Sequence, residues 1–407
     1  MDLVSSHCYW RLKHGFLRNQ ATLDADVETD VVVVGGGISG AMIAYELVKR
    51  GVDTILIERF DIASGSTSAS TALIQYETDL SLGDLAERLG LDTAERVYRA
   101  TFEAQSRVRK LALEISHTEL REKKNFYLAS DVSDVDALVR EKELRAKIGL
   151  KSEFLDASEL KKLFSFQRAG ALTSNSLEID PYLFTHQLIF EAQQKGLRIY
   201  DRTALESFER DSESVTIKTL RGSRIKARHL VFAVGYEAAR LLPPKLFELH
   251  SSFAMVTKPL ESFKGWFEKS QLWETARPYL YVRSTADGRA IVGGLDEPFR
   301  DPSKRDELID AKTLVLEKRF REFFPKIEFS TAYSWAGTFG ETKDSLPYIG
   351  NLPESRNLHF SCGFGGNGTT FASVASEMIA DAITGKLHPM KEIFGFERAY
   401  ARKVSPR

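Results

Sequence analysis

The chain has 407 residues, which at about 150 residues per domain is roughly 2.7 units, so two domains, or one domain with a large insertion, are expected and a small cross-linked scaffold is excluded. Hydrophobic residues make up 43% and charged residues 28%, a globular balance that rules out disorder and collagen-like repeats. Lys plus Arg is 56 against 57 for Asp plus Glu, a net charge of −1, so no overall field draws the chain to nucleic acid or an anionic bilayer, and the expected partner is a small molecule.

The two cysteines, Cys8 and Cys362, lack CxxC spacing, which indicates neither a disulfide framework nor a cysteine zinc site and fits a reducing, cytoplasmic setting. No apolar run approaches the ~18 residues of a membrane span. The amino-terminal MDLVSSHCYWRLKHG has His and Arg where a signal peptide needs an apolar core.

In chain order, the apolar strand Val31–Val34 runs into GGGISG (Gly35 to Gly40), then a helix with Ile38, Ala41, Met42, Tyr45 and Val48 on one face, then a second strand Thr54–Ile57. This is a βαβ unit, with Gly51 placed to stop the helix. A long polar helical region, roughly Leu85 to Leu120, a strand Asn125–Ala129 and a charged helix Val135–Ile148 form an excursion from the sheet. Another helix, Pro181 to Lys195, precedes strands that end in LVFAVG (Leu230 to Gly235), where the parallel sheet resumes. From Arg240 to Thr338, aromatic strands such as PYLYVRS and AIVGG, with an amphipathic helix near Ala311–Phe323, predict a second, more antiparallel layer. Strand Leu358–Cys362, the turn GFGGNG (Gly363 to Gly368) and a one-faced helix stopped by Gly385 close the chain.

The glycine motif gains weight from this context. Gly35 takes the tight turn after the strand, Gly37 admits a pyrophosphate to the backbone, and Gly40 lets helix and sheet pack closely. Free N–H groups at the helix start face the phosphates. Glu58 ends the second strand, where a carboxylate can accept both hydroxyls of an adenosine ribose. That carboxylate serves NAD and FAD alike. FAD is favoured by the motif's amino-terminal position and by the hydroxyl-rich loop ASGSTSASTAL (Ala63 to Leu73).

Together GGGISG, Glu58, the GSTSAST loop, HLVFAVG, DSLPYIG and SCGFGGNGTTF resemble the D-amino acid oxidase, glycine oxidase and sarcosine oxidase (DAO) superfamily of FAD enzymes over residues 28–385. The resemblance implies an α/β fold: a doubly wound, Rossmann-like FAD domain interleaved with an α+β substrate domain on a mixed sheet. The expected division assigns residues 1–84, 155–240 and 337–407 to the FAD domain, and 85–154 and 241–336 to the substrate domain. It further implies that Gly35, Gly37, Ile38, Ser39 and Gly40 line the pyrophosphate, and that Glu58 and Arg59 hold the ribose and adenine end. Ser66, Thr67, Ser68, Thr71, Ala72 and Leu73 would run beside the phosphates and the isoalloxazine. Ala204 would meet adenine, and Ala233 and Gly235 would form the strand end near a non-covalent FAD. Gly366, Asn367, Gly368 and Thr369 would set a helix amino terminus against the flavin N1 and C2 oxygen, where reduced flavin is negative.

The implied reaction removes a hydride from a carbon bearing an amine, delivers it to flavin N5 and leaves an imine that hydrolyses. Many family members hold the substrate carboxylate with an arginine in the segment matching AGTFGETKDSLPYIG, but Phe339 stands at that position. Tyr279, Tyr281 and Arg283 alternate on one strand and so share a face. They are the candidate replacements, with Gln75 and Tyr76 further candidates. His250 and His359 are read as packed strand residues, and Cys362 as a structural thiol. The eight histidines show no HxxxH or HxH spacing, so no metal site is expected. No GxSxG is present, which argues against a serine hydrolase. AIVGG contains no lysine, which leaves molecular oxygen and another electron acceptor both open. The competing readings are a 2-hydroxy acid or glycerol 3-phosphate dehydrogenase and a non-catalytic flavin-binding subunit.

Overall fold

The computed structural model describes residues 2–5, 7–242 and 246–401. Two sheets organise it. In the first, strands Ser355–Cys362, Arg224–Phe232, Val27–Val34, Thr54–Ile57 and Arg198–Tyr200 lie side by side and parallel. The strand Tyr348–Leu352 adds antiparallel at one edge, and the hairpin Leu205–Arg210/Val215–Thr219 extends the amino-terminal end of Arg224–Phe232. Val31, Val32 and Val33 have no exposed surface; a parallel strand covered on both faces reads as such an unbroken apolar run. The helices Ile38–Lys49 and Gly368–Ile383 pack against each other, and Ala41, Ile43, Ala44 and Leu47 are sealed within that layer.

The second sheet has nine strands, in the order Thr331–Thr342, Phe247–Thr257, Ala290–Glu297, Leu280–Ser284, Gln271–Glu274, Arg121–Leu128, Gly170–Glu178 and Leu73–Ile74, with Glu153–Asp156 paired to Gly170–Glu178. Its pairs are antiparallel except Gln271–Glu274 with Arg121–Leu128. Phe253, Met255, Val282 and Val292 meet the helix Ile309–Phe323 through Leu316 and Phe320 in a separate core.

Sheet membership shifts the expected boundaries. Residues 153–178 were expected from 155 onward in the FAD domain, yet both strands of that stretch pair within the second sheet; the chain returns to the first sheet only after helix Pro181–Gln194. Leu73–Ile74 joins the second sheet from within the 1–84 range, and Thr331–Thr342 runs through the boundary at 336/337. A strand's apolar pattern reports burial, not which neighbour it pairs with. The outermost limits, residue 1 and residues 402–407, lie outside the described residues. The long helical region is two helices, Leu82–Leu89 and Leu91–Glu114, because Gly90 at φ 87 breaks the helical path. Among the described residues no helix is long and apolar enough to cross a membrane.

Candidate active site

A cavity of about 890 Å³ opens between the two sheets, toward the upper end of the roughly 300–1,000 Å³ usual for small-molecule sites. One end is the βαβ turn. A Cβ on Gly35 would strike the Ala233 carbonyl, and one on Gly40 would strike the Gly35 carbonyl, so at both positions strand and helix approach too closely for a side chain. Gly40 packs there without lining the cavity, whereas Gly35, Gly37, Ile38 and Ser39 line it. Glu58 also lines it, its Oε2 accepting from Gly36 N–H at 2.7 Å and its Oε1 from Phe60 N–H at 2.9 Å. Loss of hydration raises this carboxyl's pKa, against the pull of those two amides. Arg59 beside it pairs with Glu237 at 2.7 Å. Ala204, Ala233 and Gly235 complete this wall.

The hydroxyl-rich loop carries the short helix Ser66–Ala69. Thr67 Oγ1 accepts from Ile38 N–H at 3.0 Å, which ties the loop to the first helix and leaves Ser39 and Gly40 as the amides without an intrahelical carbonyl behind them. Ser66, Thr67, Thr71 and Leu73 line the cavity. Two expectations are corrected here. Ser68 is fully buried and its hydroxyl donates to the carbonyls of Ser64 and Gly65; Ala72, at φ 54, turns inward and lies outside the lining.

On the facing wall the turn Gly363–Gly368 leads into the last long helix. Gly366, Asn367, Gly368 and Thr369 all line the cavity, but Gly366 N–H is already taken by Asp79 Oδ2 at 2.9 Å. The Asn367 amide donates to the Glu77 carbonyl at 3.0 Å and accepts from Asp79 N–H at 3.3 Å. The first-turn amides of Gly368, Thr369 and Thr370 therefore carry the helix's positive end.

At the far end stand Tyr279, Tyr281, Trp273, Gln75, Asp79, Asp296, Ser252 and Phe339. Tyr281 pairs with Gly293 across the sheet, and a Cβ on Gly293 would enter the Tyr281 ring; one on Gly294 would strike the Tyr279 carbonyl. The two glycines of AIVGG thus make room for the two tyrosines. Trp273 sits edge-on to Tyr279 at 6.0 Å, and Tyr279 tilts against Tyr281 at 5.9 Å. Burial pushes the Tyr281 hydroxyl up to about 12 and the carboxyls of Asp79 and Asp296 up to about 6.

Arg283 corrects the expected substrate clamp. Its Nη1 donates to the carbonyls of Thr71, Ala72 and Ile179 at 2.8–3.0 Å, its Nε donates to the Ser284 carbonyl at 2.9 Å, and it does not line the cavity. Alternation put it on the tyrosines' face, but at its height that face meets the hydroxyl-rich loop. Arg283→Met is expected to destabilise the protein by about 3–5 kcal/mol, because buried Glu178 loses its charge partner and four carbonyls lose their donor; thermal unfolding measures this, and a lost substrate clamp would instead raise KM at unchanged stability. Tyr76 likewise packs in the core against Tyr98 and Phe102. Asp79, Trp273 and Asp296 were not found from sequence. A mark of Asp296 was there, since a GG pair followed by an acid signals a bent strand, and Leu295 takes φ 59.

Neither histidine candidate lines the cavity. His359 is buried against His229 at 3.3 Å, its pKa lowered by burial to about 3, and His250 faces Glu341 at 3.9 Å. His14, Glu119 and Asp180 gather their ligand atoms within 4.8 Å of one another, a grouping of distant segments that spacing does not reveal. Lys13 Nζ lies 2.6 Å from Glu119 and 3.2 Å from Asp180, so both carboxylates are already paired.

A sequence profile described as "DAO: FAD dependent oxidoreductase" matches residues 30–382. The glycine oxidase of Bacillus licheniformis is 28% identical over 382 residues, covering 91% of this chain and 98% of that protein. The gamma-glutamylputrescine oxidoreductase of Escherichia coli (strain K12) is 24% identical, covering 89% and 85%. The crystal structure of glycine oxidase from Geobacillus kaustophilus superposes with a TM-score of 0.77 at 22% identity over 90% of this chain and 98% of that one. The closed glycine cradle, the inward-facing Glu58 and the unpartnered helix amides all suit an adenine dinucleotide. The chain belongs to the DAO family of FAD-dependent oxidoreductases.

Proposed function

We propose that this oxidoreductase acts on a small amine or amino acid, binding FAD non-covalently. When bound, FAD would supply the acceptor for a hydride, two electrons and one proton, from the C–H bond beside the nitrogen, with an imine left for water to hydrolyse and oxygen or another acceptor taking up the electrons. The observation that carries the reading is the continuity of one cavity from the glycine cradle to the end lined by Tyr279, Tyr281, Gln75 and Asp296. In this reading Glu58 holds the ribose, the amide of Ser39 meets the pyrophosphate, and the first-turn amides of Gly368 and Thr369 meet the flavin ring. Tyr279, Tyr281 and Trp273 orient the substrate and exclude water.

A non-covalent cofactor is supported by Cys362, whose thiol is pushed up to about 12 by burial and points at the Tyr348 carbonyl 3.7 Å away. The two arginines of the lining, Arg59 and Arg240, flank Glu58 and the turn after Val234. Among the described residues at the tyrosine end there is no basic cluster for a phosphate, which weighs against glycerol 3-phosphate. Mixing the holoenzyme anaerobically with amines, amino acids and hydroxy acids tests the reading. Bleaching of the visible flavin band by an amine or amino acid is expected; bleaching by hydroxy acids or glycerol 3-phosphate alone would refute it, and so would no bleaching by any of them.

A further inference from the structure

Segment 75–79 is tied to the start of the last long helix at four points. Asp79 Oδ2 accepts from Gly366 N–H at 2.9 Å, the Asn367 amide meets the Glu77 carbonyl at 3.0 Å and the Asp79 N–H at 3.3 Å, and Thr370 Oγ1 donates to the Gln75 carbonyl at 2.8 Å. The turn is shaped around the Asp79 carboxylate. A Cβ on Gly365 would collide with its Oδ2, and one on Gly366 would lie 2.7 Å from both its Oδ1 and the Tyr279 hydroxyl. That hydroxyl donates to the carboxylate as well. Two successive glycines thus admit an internal carboxylate to the cavity wall where a larger residue would push it out.

The seat is also held from behind. Glu77 Oε1 pairs with buried Arg145 at 2.9 Å, and Arg277, whose guanidinium lies 4.8 Å over the Tyr279 ring, donates to the Asp79 carbonyl at 2.6 Å. Asp79 is therefore anchored through its amide, its carbonyl and its carboxylate together. Within the cavity its charge meets no counter-charge. Asp79 and Asp296 line the tyrosine end, and Glu341 adds to the field from outside the lining, where His250 faces it at 3.9 Å. Among the described lining residues there is no lysine or histidine, and the arginines, Arg59 and Arg240, stand at the Glu58 end. A ligand carboxylate entering the tyrosine end meets a like charge and finds Gly366 N–H and the Tyr279 hydroxyl already taken. Sites discriminate by such built-in repulsion as well as by attraction. An amine nitrogen meets neither obstacle.

We propose that Asp79 sets the substrate class: holding the donors of this wall and giving it a negative charge, it excludes a carboxylate from the reacting carbon, so the enzyme oxidises amines that are not α-amino acids. This narrows the amine or amino acid reading given above and rests on it. The exclusion needs no contact between Asp79 and the substrate, only its charge and its hold on the two donors.

The test uses the holoenzyme at about pH 8, where the Asp79 carboxyl, pushed up to about 6 by burial, is ionised. Butylamine is compared anaerobically with both enantiomers of norvaline, which is butylamine with a carboxylate on the reacting carbon, and with glycerol 3-phosphate. Butyrate and its neutral analogue butyramide are titrated into the oxidised enzyme and followed by the shift of the visible flavin band. Butylamine is expected to bleach the wild type at least about tenfold more efficiently than either norvaline. Asp79→Asn, which keeps an acceptor for Gly366 N–H and removes the charge, is expected to bind butyrate about tenfold more tightly, with butyramide little changed. Asp79→Ala, which frees both donors as well, is expected to bind butyrate more tightly still, and both variants to shrink the butylamine-to-norvaline ratio about tenfold or more. Flavin content and unfolding midpoint report whether each variant folds, and the near-isosteric Asp79→Asn decides the outcome alone if the alanine variant does not. A norvaline that bleaches the wild type as well as butylamine does, an unchanged butyrate affinity in the folded variants, or an equal gain for butyramide in Asp79→Asn would overturn the exclusion while leaving oxidation at a carbon bearing nitrogen standing. Bleaching by glycerol 3-phosphate alone would overturn both, as would no bleaching by any amine or amino acid.

Discussion

Glu58→Ala is expected to fold and to lose FAD on gel filtration, with its dissociation constant raised on the order of a hundredfold, ~2.7 kcal/mol, as fits the loss of one to two charge-assisted hydrogen bonds. The carboxylate does two jobs at once. Its oxygens fix the amides of Gly36 and Phe60, and its remaining lone pairs face the cavity, where ribose hydroxyls can donate. Glu58→Gln separates the jobs: one acceptor oxygen stays for Gly36 while the second becomes a donor, so intermediate affinity is expected. Fluorescence quenching of FAD titrated into apoprotein measures all three. Unchanged affinity in the alanine variant would place the ribose elsewhere.

Arg145→Leu is expected to cost about 3–5 kcal/mol of stability, the range for stripping one partner from a buried ion pair. The guanidinium is 1% exposed and sits between Glu77 Oε1 at 2.9 Å and Glu141 Oε1 at 2.8 Å, with Tyr76 Oη at 3.2 Å. Glu141 in turn caps the helix Leu82–Leu89 through the amides of Leu82 and Gly83 at 3.0 Å. Removing the arginine leaves two buried carboxylates facing each other. Because Glu77 stands on the segment that carries Gln75 and Asp79 into the cavity, weaker substrate binding should accompany the fall in unfolding midpoint. Replacing the glutamates along with the arginine, as Glu77→Gln, Glu141→Gln and Arg145→Leu together, is expected to restore part of the loss. An Arg145→Leu protein with a normal midpoint would show the cluster to be solvated.

The cofactor cradle was legible because it is local. Val31 to Glu58 forms one βαβ unit in which strand, turn, helix and acid are contiguous, and Gly35 and Gly40 answer constraints within the same unit or from the strand end at Ala233. Tyr279 and Tyr281 were legible as a shared face. What that face meets at each height was not: three residues of one strand diverge because Tyr279 and Tyr281 open onto the cavity while Arg283 lies under the loop at Thr71 and Ala72. Asp79 and Trp273 come from segments far apart in sequence, and nothing in their own surroundings marks them until the fold brings them to one cavity. The same holds for strand Gly170–Glu178, whose pairing partners Leu73–Ile74 and Arg121–Leu128 lie about a hundred and about fifty residues before it in the chain.

A crystal structure of the protein soaked with FAD is the most direct measurement of the central claim. It is predicted to hold the ribose hydroxyls within hydrogen-bonding distance of Glu58, the pyrophosphate at the amide of Ser39, and the ring between the first turn at Gly368 and the Tyr281 wall. Density with the ribose turned away from Glu58, or with the ring outside the space bounded by Tyr281 and Asp296, would contradict it.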